Sequence, residues 1–494
     1  MATIFSGTRT LKPRLMNRPE ATTTILFFVI VITLTFISRV RFNPLSVHPN
    51  SSTPSKKAEY PALQCPIENQ TQTCSTNFPT TLDGDDVEPP SRDTCPDYFR
   101  FIHEDLRPWR ATGISREMVE KAKRYAHFRL VIVSGKVYVE KYKEFIERHL
   151  FTIWGILQLI RRYPGRVPDL ELMFDTDDRP VIRSTEWNTT GPPALFRYCG
   201  DTWTRDLVFP DWSFWGWPEI NIRPWEGLLK EIKEGNSRSK WIEREPYAYW
   251  KGNPYVARTR MQLLQCNLSD TQDWNARLYV QNWTLESQIG YKTSGLANQC
   301  THRYKIYIEG YAWSVSEKYI LACDSATLLV KPEFYDFFTR GLEPLHHYWP
   351  IRGDGKCKSI KFAVDWGNKH EKKAQSMGKA ASDFIQQELN MEYVYDYMFH
   401  MLTEYASLLN FEPQVPKGAV EVCSQSMACS AKGTVKKFMM ESLVKEPSLT
   451  SPCINPRYEP QVVGNFYKRN SNLIRQVEKW EDKYWENANS QSRS

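Results

Sequence analysis

Residues 169–180 read Asp-Leu-Glu-Leu-Met-Phe-Asp-Thr-Asp-Asp-Arg-Pro, a short apolar run that stops on a cluster of acids. Leu170, Leu172, Met173 and Phe174 predict a buried strand over 170–174. Pro180 cannot donate to a ladder and closes it, so Asp175, Asp177 and Asp178 sit at its carboxyl end. In open α/β sheets that end is where ligands bind, and a carboxylate placed there can serve as a general base. The same residues also fit a solvated acidic turn, and composition alone does not separate the two readings.

Strands alternate with helices on both sides of this segment. Before it come a helix over 115–126 with Ser115 as N-cap, a hairpin of strands 129–133 and 136–140 about Ser134-Gly135, and a long helical pattern over 142–163 closed by Pro164-Gly165. After it come strand 247–250, helix 258–265, strand 304–308, helix 314–321, strand 327–330, and helices 371–389 and 391–409. This order predicts an α/β chain with parallel sheets, in two Rossmann-like lobes that face one cleft and part at a break near 227–240. A length of 494 residues fits two domains with appendages. The predicted division is 1–20 tail, 21–38 transmembrane anchor, 39–94 stem, 95–235 first lobe, 236–410 second lobe, and an extension over 411–494 without an assigned role.

Residues 21–38 carry no charge and are rich in Ile, Val, Phe and Thr. As a helix they would span roughly 27 Å, enough for a thin early-secretory membrane. Arg9, Lys12, Arg14 and Arg18 precede them, which predicts a cytosolic N-terminus and a lumenal body in a single-pass type II arrangement. A cleaved signal peptide is the rival; the run is long for one and no small-x-small site follows. The chain has 11 Cys, all after this segment and in no zinc-binding spacing, which favours disulfides and leaves at least one thiol unpaired. Asn50, Asn69, Asn188, Asn267 and Asn282 begin N-glycosylation sequons. The final residues are Ser-Gln-Ser-Arg-Ser, with no retrieval signal, which points to the Golgi membrane over a soluble protein of the endoplasmic reticulum. The net charge of +7 is spread along the chain, so no nucleic-acid partner is expected.

Three constellations can carry chemistry. Asp175-Thr176-Asp177 is a D-x-D that can chelate Mn²⁺ between nucleotide phosphates, while Asp178 can deprotonate a hydroxyl. The block 209–222 holds Trp212, Trp215 and Trp217 beside Pro218, Asn221 and Ile222; its indoles suit either stacking on sugars or core packing. Gly310-Tyr311-Ala312-Trp313-Ser314 lies between a strand and a helix, where backbone N–H groups favour phosphate. Lys251, Arg258 and Lys318 can neutralise a diphosphate. The G-x-S-x-G and H-E-x-x-H motifs are absent, and His346-His347 reads as structural.

Taken in order, 95–118, 170–180, 207–222, 248–252 and 300–325 resemble the Rumi-like protein O-glucosyltransferases of glycosyltransferase family 90, a family that also holds fungal capsule xylosyltransferases. The wording Tyr304-Lys305-Ile306-Tyr307-Ile308-Glu309-Gly310 is most similar to the plant branch. The resemblance covers roughly 95–409. It implies a GT-B-like fold with an acceptor-side first lobe and a donor-side second lobe. It also implies inverting transfer of glucose or xylose from a UDP-sugar, with no metal cofactor. Residue by residue it implies Asp178 as base, with Arg179 where animal members carry an aromatic. Acceptor and sugar contacts fall on Trp217, Pro218, Asn221 and Ile222. Donor contacts fall on Lys251, Gly252 and Asn253 and on Gly310 to Ser314. A disulfide joins Cys300 to Cys323. The sequence departs from the family where Ser316, Glu309 and Lys251-Gly252-Asn253 stand for an Arg, an Arg and Arg-Gly-Ser. Lys251, Arg258 and Lys318 are the candidates to restore that charge. Asp177 is expected to raise the pKa of its neighbour Asp178. The expected partners are a UDP-sugar, a protein or polysaccharide acceptor and a membrane. A metal-dependent transferase using Asp175 and Asp177, and a non-catalytic lumenal glycan-binding protein, remain the alternatives.

Overall fold

The structure is a computed structural model and describes residues 60–63, 65, 74, 93–187 and 191–491. The expected anchor 21–38, most of the stem, and Asn50, Asn69 and Asn188 lie outside these residues. Among the described residues no helix is long and apolar enough to cross a membrane.

Two sheets organise the chain. The first contains β1 (Phe128–Val133), β2 (Lys136–Lys141), β3 (Leu170–Phe174), β4 (Leu195–Arg197) and β5 (Leu207–Val208). The second contains β6 (Glu245–Gly252), β7 (Ala276–Val280), β8 (His302–Tyr307), β9 (Ala326–Val330) and β10 (Tyr348–Ile351); a late strand, β11 (Val420–Val422), returns to the first sheet. The strand orders are β11-β2-β1-β3-β4-β5 and β10-β9-β8-β6-β7.

The second sheet is parallel throughout, as expected. The first is mixed, which corrects the expectation of two Rossmann-like lobes. Ser134 and Gly135 take positive φ and fold β1 back on β2, β3 and β11 also run antiparallel to their neighbours β1 and β2, and only β3, β4 and β5 run parallel. The long helix begins at Glu147, not 142, because 142–146 extend out of β2 and the Ile146 N–H is capped by His149 Nδ1 at 3.0 Å.

The expected break near 227–240 is occupied by the helix Trp225–Ser237. Trp225, Leu228 and Ile232 form its buried stripe. Gly235 is a packing residue: a Cβ there would lie 2.3 Å from the Ala297 carbonyl oxygen.

The segment after 411 is built into the body. Helix Gly433–Glu441 places Phe438 against Gly216, and helix Pro460–Gln491 buries Val463 in the larger core and Val477 in the smaller one. Disulfides join Cys65–Cys429, Cys74–Cys423, Cys95–Cys453, Cys266–Cys357 and Cys300–Cys323. Cys199 is the unpaired thiol and is buried. The segment expected to form a stem is therefore cross-linked to the body at Cys65 and Cys74. All described residues belong to one compact unit, Ala58–Ser494.

Candidate active site

A cavity of about 410 Å³ opens where β3 of the first sheet and β6 and β8 of the second end. β6 and β8 are adjacent, with β7 on the far side of β6. Successive connections thus leave in opposite directions, which makes this a topological switch point.

Of the three acids after β3, only Asp178 lines the cavity. Asp175 is buried and held between Arg197 and His127, the latter at 2.7 Å. Burial pushes its carboxyl up, but those two partners and the Asp177 N–H together outweigh burial and leave it below the usual range. The Asp177 carboxylate is exposed and lies 3.8 Å from His127. Ligand atoms of His127, Asp175 and Asp177 fall within 4.8 Å of one another. A cation there would compete with Arg197 for Asp175.

The Asp178 carboxylate receives Arg148 Nη1 at 2.7 Å on Oδ1. Its Oδ2 makes no hydrogen bond to the described residues. The Arg148 guanidinium stacks 4.5 Å from the Trp212 ring and 6.0 Å from Trp217. Side chains also satisfy four successive carbonyls of the turn. Arg148 donates to Thr176 O (3.3 Å), Arg197 to Asp177 O (3.2 Å) and to Arg179 O, and the Cys199 thiol to Asp178 O (3.0 Å). Asp206 accepts the N–H groups of Val181 and Ile182 just beyond. A base on this turn is held by the fold before any ligand arrives.

The opposite wall is the loop after β8. Arg260 donates to Ile308 O (3.1 Å), Glu309 O (3.0 Å), Asn253 O (3.3 Å) and Ser314 Oγ (3.1 Å), fixing the segments that follow β6 and β8. Tyr307 Oη accepts the Ser314 N–H at 3.1 Å, and Ser314 Oγ lies 2.9 Å from Ser316 Oγ. Arg179 bridges the two walls, with Nε 2.9 Å from Tyr311 O and its guanidinium 4.2 Å from the Tyr311 ring.

The cavity therefore gathers Asp178, Trp217, Ile222, Lys251, Gly252, Asn253, Gly310, Tyr311, Trp313 and Ser314. It leaves out five residues expected in it. Pro218 is buried at the start of a 3₁₀ turn, Asn221 caps that turn at φ 53°, and Ala312 is buried behind the loop. Lys318 points into the protein and is spent on Asp211 at 2.9 Å. Arg258 is exposed on the outer face of its helix. Arg260 takes the place expected of Arg258; it lies three residues before buried Leu263 and so shares the inner face. That periodicity is the signal that distinguishes the two arginines. Arg148, Tyr249 and Lys305 also line the cavity and were not anticipated. Of the tryptophan block, Trp215 is core and donates to Tyr395 Oη at 3.0 Å, while Trp212 and Trp217 reach the cavity.

Glu309, where the resemblance implies an arginine, does not face the cavity. It accepts the N–H groups of Glu333 (3.0 Å) and Phe334 (2.8 Å). Burial pushes its carboxyl up to about 7 despite those donors. A raised carboxyl stabilises the fold while protonated, fully below the unfolded value of 4.5, and that contribution is lost as pH rises through 7. Glu309→Gln is therefore expected to flatten the fall in Tm between about pH 5.5 and about pH 8, read as the difference from wild type. His149 and His302, pushed down to about 4 by burial, act in the opposite sense and cancel in that difference. Equal slopes for the two proteins would refute this role for Glu309.

The profile of glycosyl transferase family 90 matches residues 90–481. The chain belongs to glycosyl transferase family 90. The family match spans both sheets and continues through the segment after 411, so that segment is part of the family body. Similar proteins include O-glucosyltransferase rumi of Drosophila pseudoobscura pseudoobscura, 25% identical over 336 residues (65% of this chain, 79% of that protein). Protein O-glucosyltransferase 1 of Bos taurus is 26% identical, and that of Homo sapiens 25%, each over 351 residues (68% of this chain, 86% of the relative).

Proposed function

We propose that this family-90 protein is an inverting O-glycosyltransferase that moves glucose or xylose from a UDP-sugar to a hydroxyl of a secretory-pathway protein or wall polysaccharide. The observation that carries the reading is that Asp178, alone of its acidic cluster, lines the same cavity as the Arg260-pinned loop Gly310 to Ser316. The names of the similar proteins support a glucosyl donor and a protein acceptor. Five disulfides support an oxidising lumen, with the body held at a Golgi or endoplasmic-reticulum membrane through 21–38.

In the proposed step Arg148 holds Oδ1 of Asp178 and leaves Oδ2 to take the acceptor proton. The acceptor oxygen bonds to the anomeric carbon from the face opposite the diphosphate. The carbon–oxygen bond to the phosphate breaks, and UDP leaves with the electron pair. Lys251, Arg260 and the loop N–H groups meet the charge that develops on the leaving group. The step as drawn requires no metal.

The test is UDP release from UDP-glucose, UDP-xylose, UDP-galactose and UDP-glucuronic acid, in EDTA and with Mn²⁺ restored. EDTA-resistant release from one donor is expected and names the sugar. Release that requires Mn²⁺ would favour chelation by Asp175 and Asp177. No release, with no thermal stabilisation by UDP, would favour a non-catalytic glycan-binding protein.

A further inference from the structure

Parallel strands covered on both faces normally read as continuous apolar runs. β6 and β8 do so on one face only, where Ala248, Trp250, Tyr304 and Ile306 build the smaller core. The alternate positions hold Tyr249, Lys251, Lys305 and Tyr307. Tyr249 and Lys305 are direct partners across the ladder, and both line the cavity with Lys251.

Lys305 is 4% exposed. Its Nζ donates to Gln299 O at 3.2 Å and lies 3.6 Å from Sγ of Cys323. The Tyr249 ring is 5.5 Å away. No ion pair forms between Lys305 and the described residues, and the nearby ionisable groups are Arg244, His302 and Tyr249, none of them an acid. Burial first, then Arg244, pull the amine down to about 7. A buried ammonium without a counter-ion costs the fold free energy, and a thioether of similar length would fill the same space without that cost. Within the cavity Arg148 is neutralised by Asp178 and Lys251 approaches Glu286 at 4.0 Å. Arg260 has no ion pair either but spends its guanidinium on four neutral acceptors, whereas Lys305 has a single oxygen acceptor, Gln299 O.

We propose that Lys305 is an anion-binding residue of the donor site, its ammonium meeting either the diphosphate or a carboxylate on the sugar of the bound nucleotide. This rests on the UDP part of the reading above; the carboxylate case would replace glucose or xylose by a uronic acid as the sugar. An arriving anion favours the charged amine, so binding draws a proton onto Nζ.

The experiment uses the full-length chain, wild type and Lys305→Met, titrated calorimetrically with UDP, UDP-glucose and UDP-glucuronic acid. Melting of the unliganded proteins is measured alongside. The variant is expected to melt at or above the wild-type temperature and to bind at least about tenfold more weakly. Weaker binding of all three ligands assigns the diphosphate; a loss confined to UDP-glucuronic acid assigns the sugar carboxylate. Unchanged binding of all three overturns the proposal. If the variant does not fold, wild type decides. Titration at several pH values between about 7 and about 9.5, in pairs of buffers of different ionisation enthalpy, is expected to show uptake of up to about one proton with the sugar nucleotide that binds, and no uptake at any of them overturns the proposal. Wild-type protein that binds none of the three overturns the UDP-sugar reading itself, and Lys305's role with it.

Discussion

Asp178→Asn is expected to lower kcat by about 10²- to 10⁴-fold while leaving the protein folded. The substitution keeps an oxygen for Arg148 and removes only the ability to take a proton. The ion pair it weakens is partly exposed, with side-chain exposures of 23% and 34%, so the stability change should stay below about 1 kcal/mol. The turn itself is unaffected, because the carbonyls of 176–179 are bonded to Arg148, Arg197 and Cys199. Steady-state kinetics on the preferred donor and a thermal melt check both halves. Turnover within a few-fold of wild type would remove Asp178 from the reaction, and a collapsed melt would make it a structural residue. Asp177→Asn serves as the control, since its carboxylate lies outside the cavity; it should leave kcat nearly unchanged.

Arg197→Met should do the reverse and remove stability, by about 3–5 kcal/mol, before chemistry can be assessed. Arg197 is 2% exposed and contacts two buried carboxylates, Asp175 and, at 3.4 Å, Asp206. Methionine leaves both without that counter-charge and frees the carbonyls of Asp177 and Arg179. Burial already pushes the Asp206 carboxyl up to about 6, against the opposing field of Arg197. Without Arg197 it should rise further. A carboxyl raised in the fold stabilises while protonated and loses that contribution as pH rises. The loss measured by urea unfolding should therefore be smaller near pH 5 than near pH 7.5, and Asp206→Asn in the same chain should recover part of it at the higher pH. A pH-independent loss would show that packing, not charge, is what Arg197 contributes.

The strands were legible because their signals are local. β3 falls on 170–174 as its apolar run dictates, and β8 and β9 lie within two residues of their expected bounds. What escaped the sequence is non-local. Nothing near position 148 announces that Arg148 reaches across thirty positions to Asp178. Nothing near 318 announces that Lys318 turns inward to an aspartate 107 positions earlier. The helix Trp225–Ser237 was hidden by two internal glycines, one of which exists to let the backbone of Ala297 approach. Helix Pro460–Gln491 was hidden by sparse burial: of its 32 residues only Val463, Val477 and Glu481 are buried, too few to print a stripe.

If residues 21–38 anchor the chain as proposed, the cross-links at Cys65 and Cys74 bear on how the body could be set free from a membrane. Both reach residues of the C-terminal region, Cys429 and Cys423, more than 340 positions away. A protease that cuts once between Cys74 and Cys95 would nick the chain without shedding anything, because the two pieces stay covalently joined until a reductant arrives. Release as a soluble enzyme requires a cut ahead of Cys65, and the product would carry the remaining stem with it. A nicked but unreleased population should migrate as one species on a non-reducing gel and as two on a reducing one.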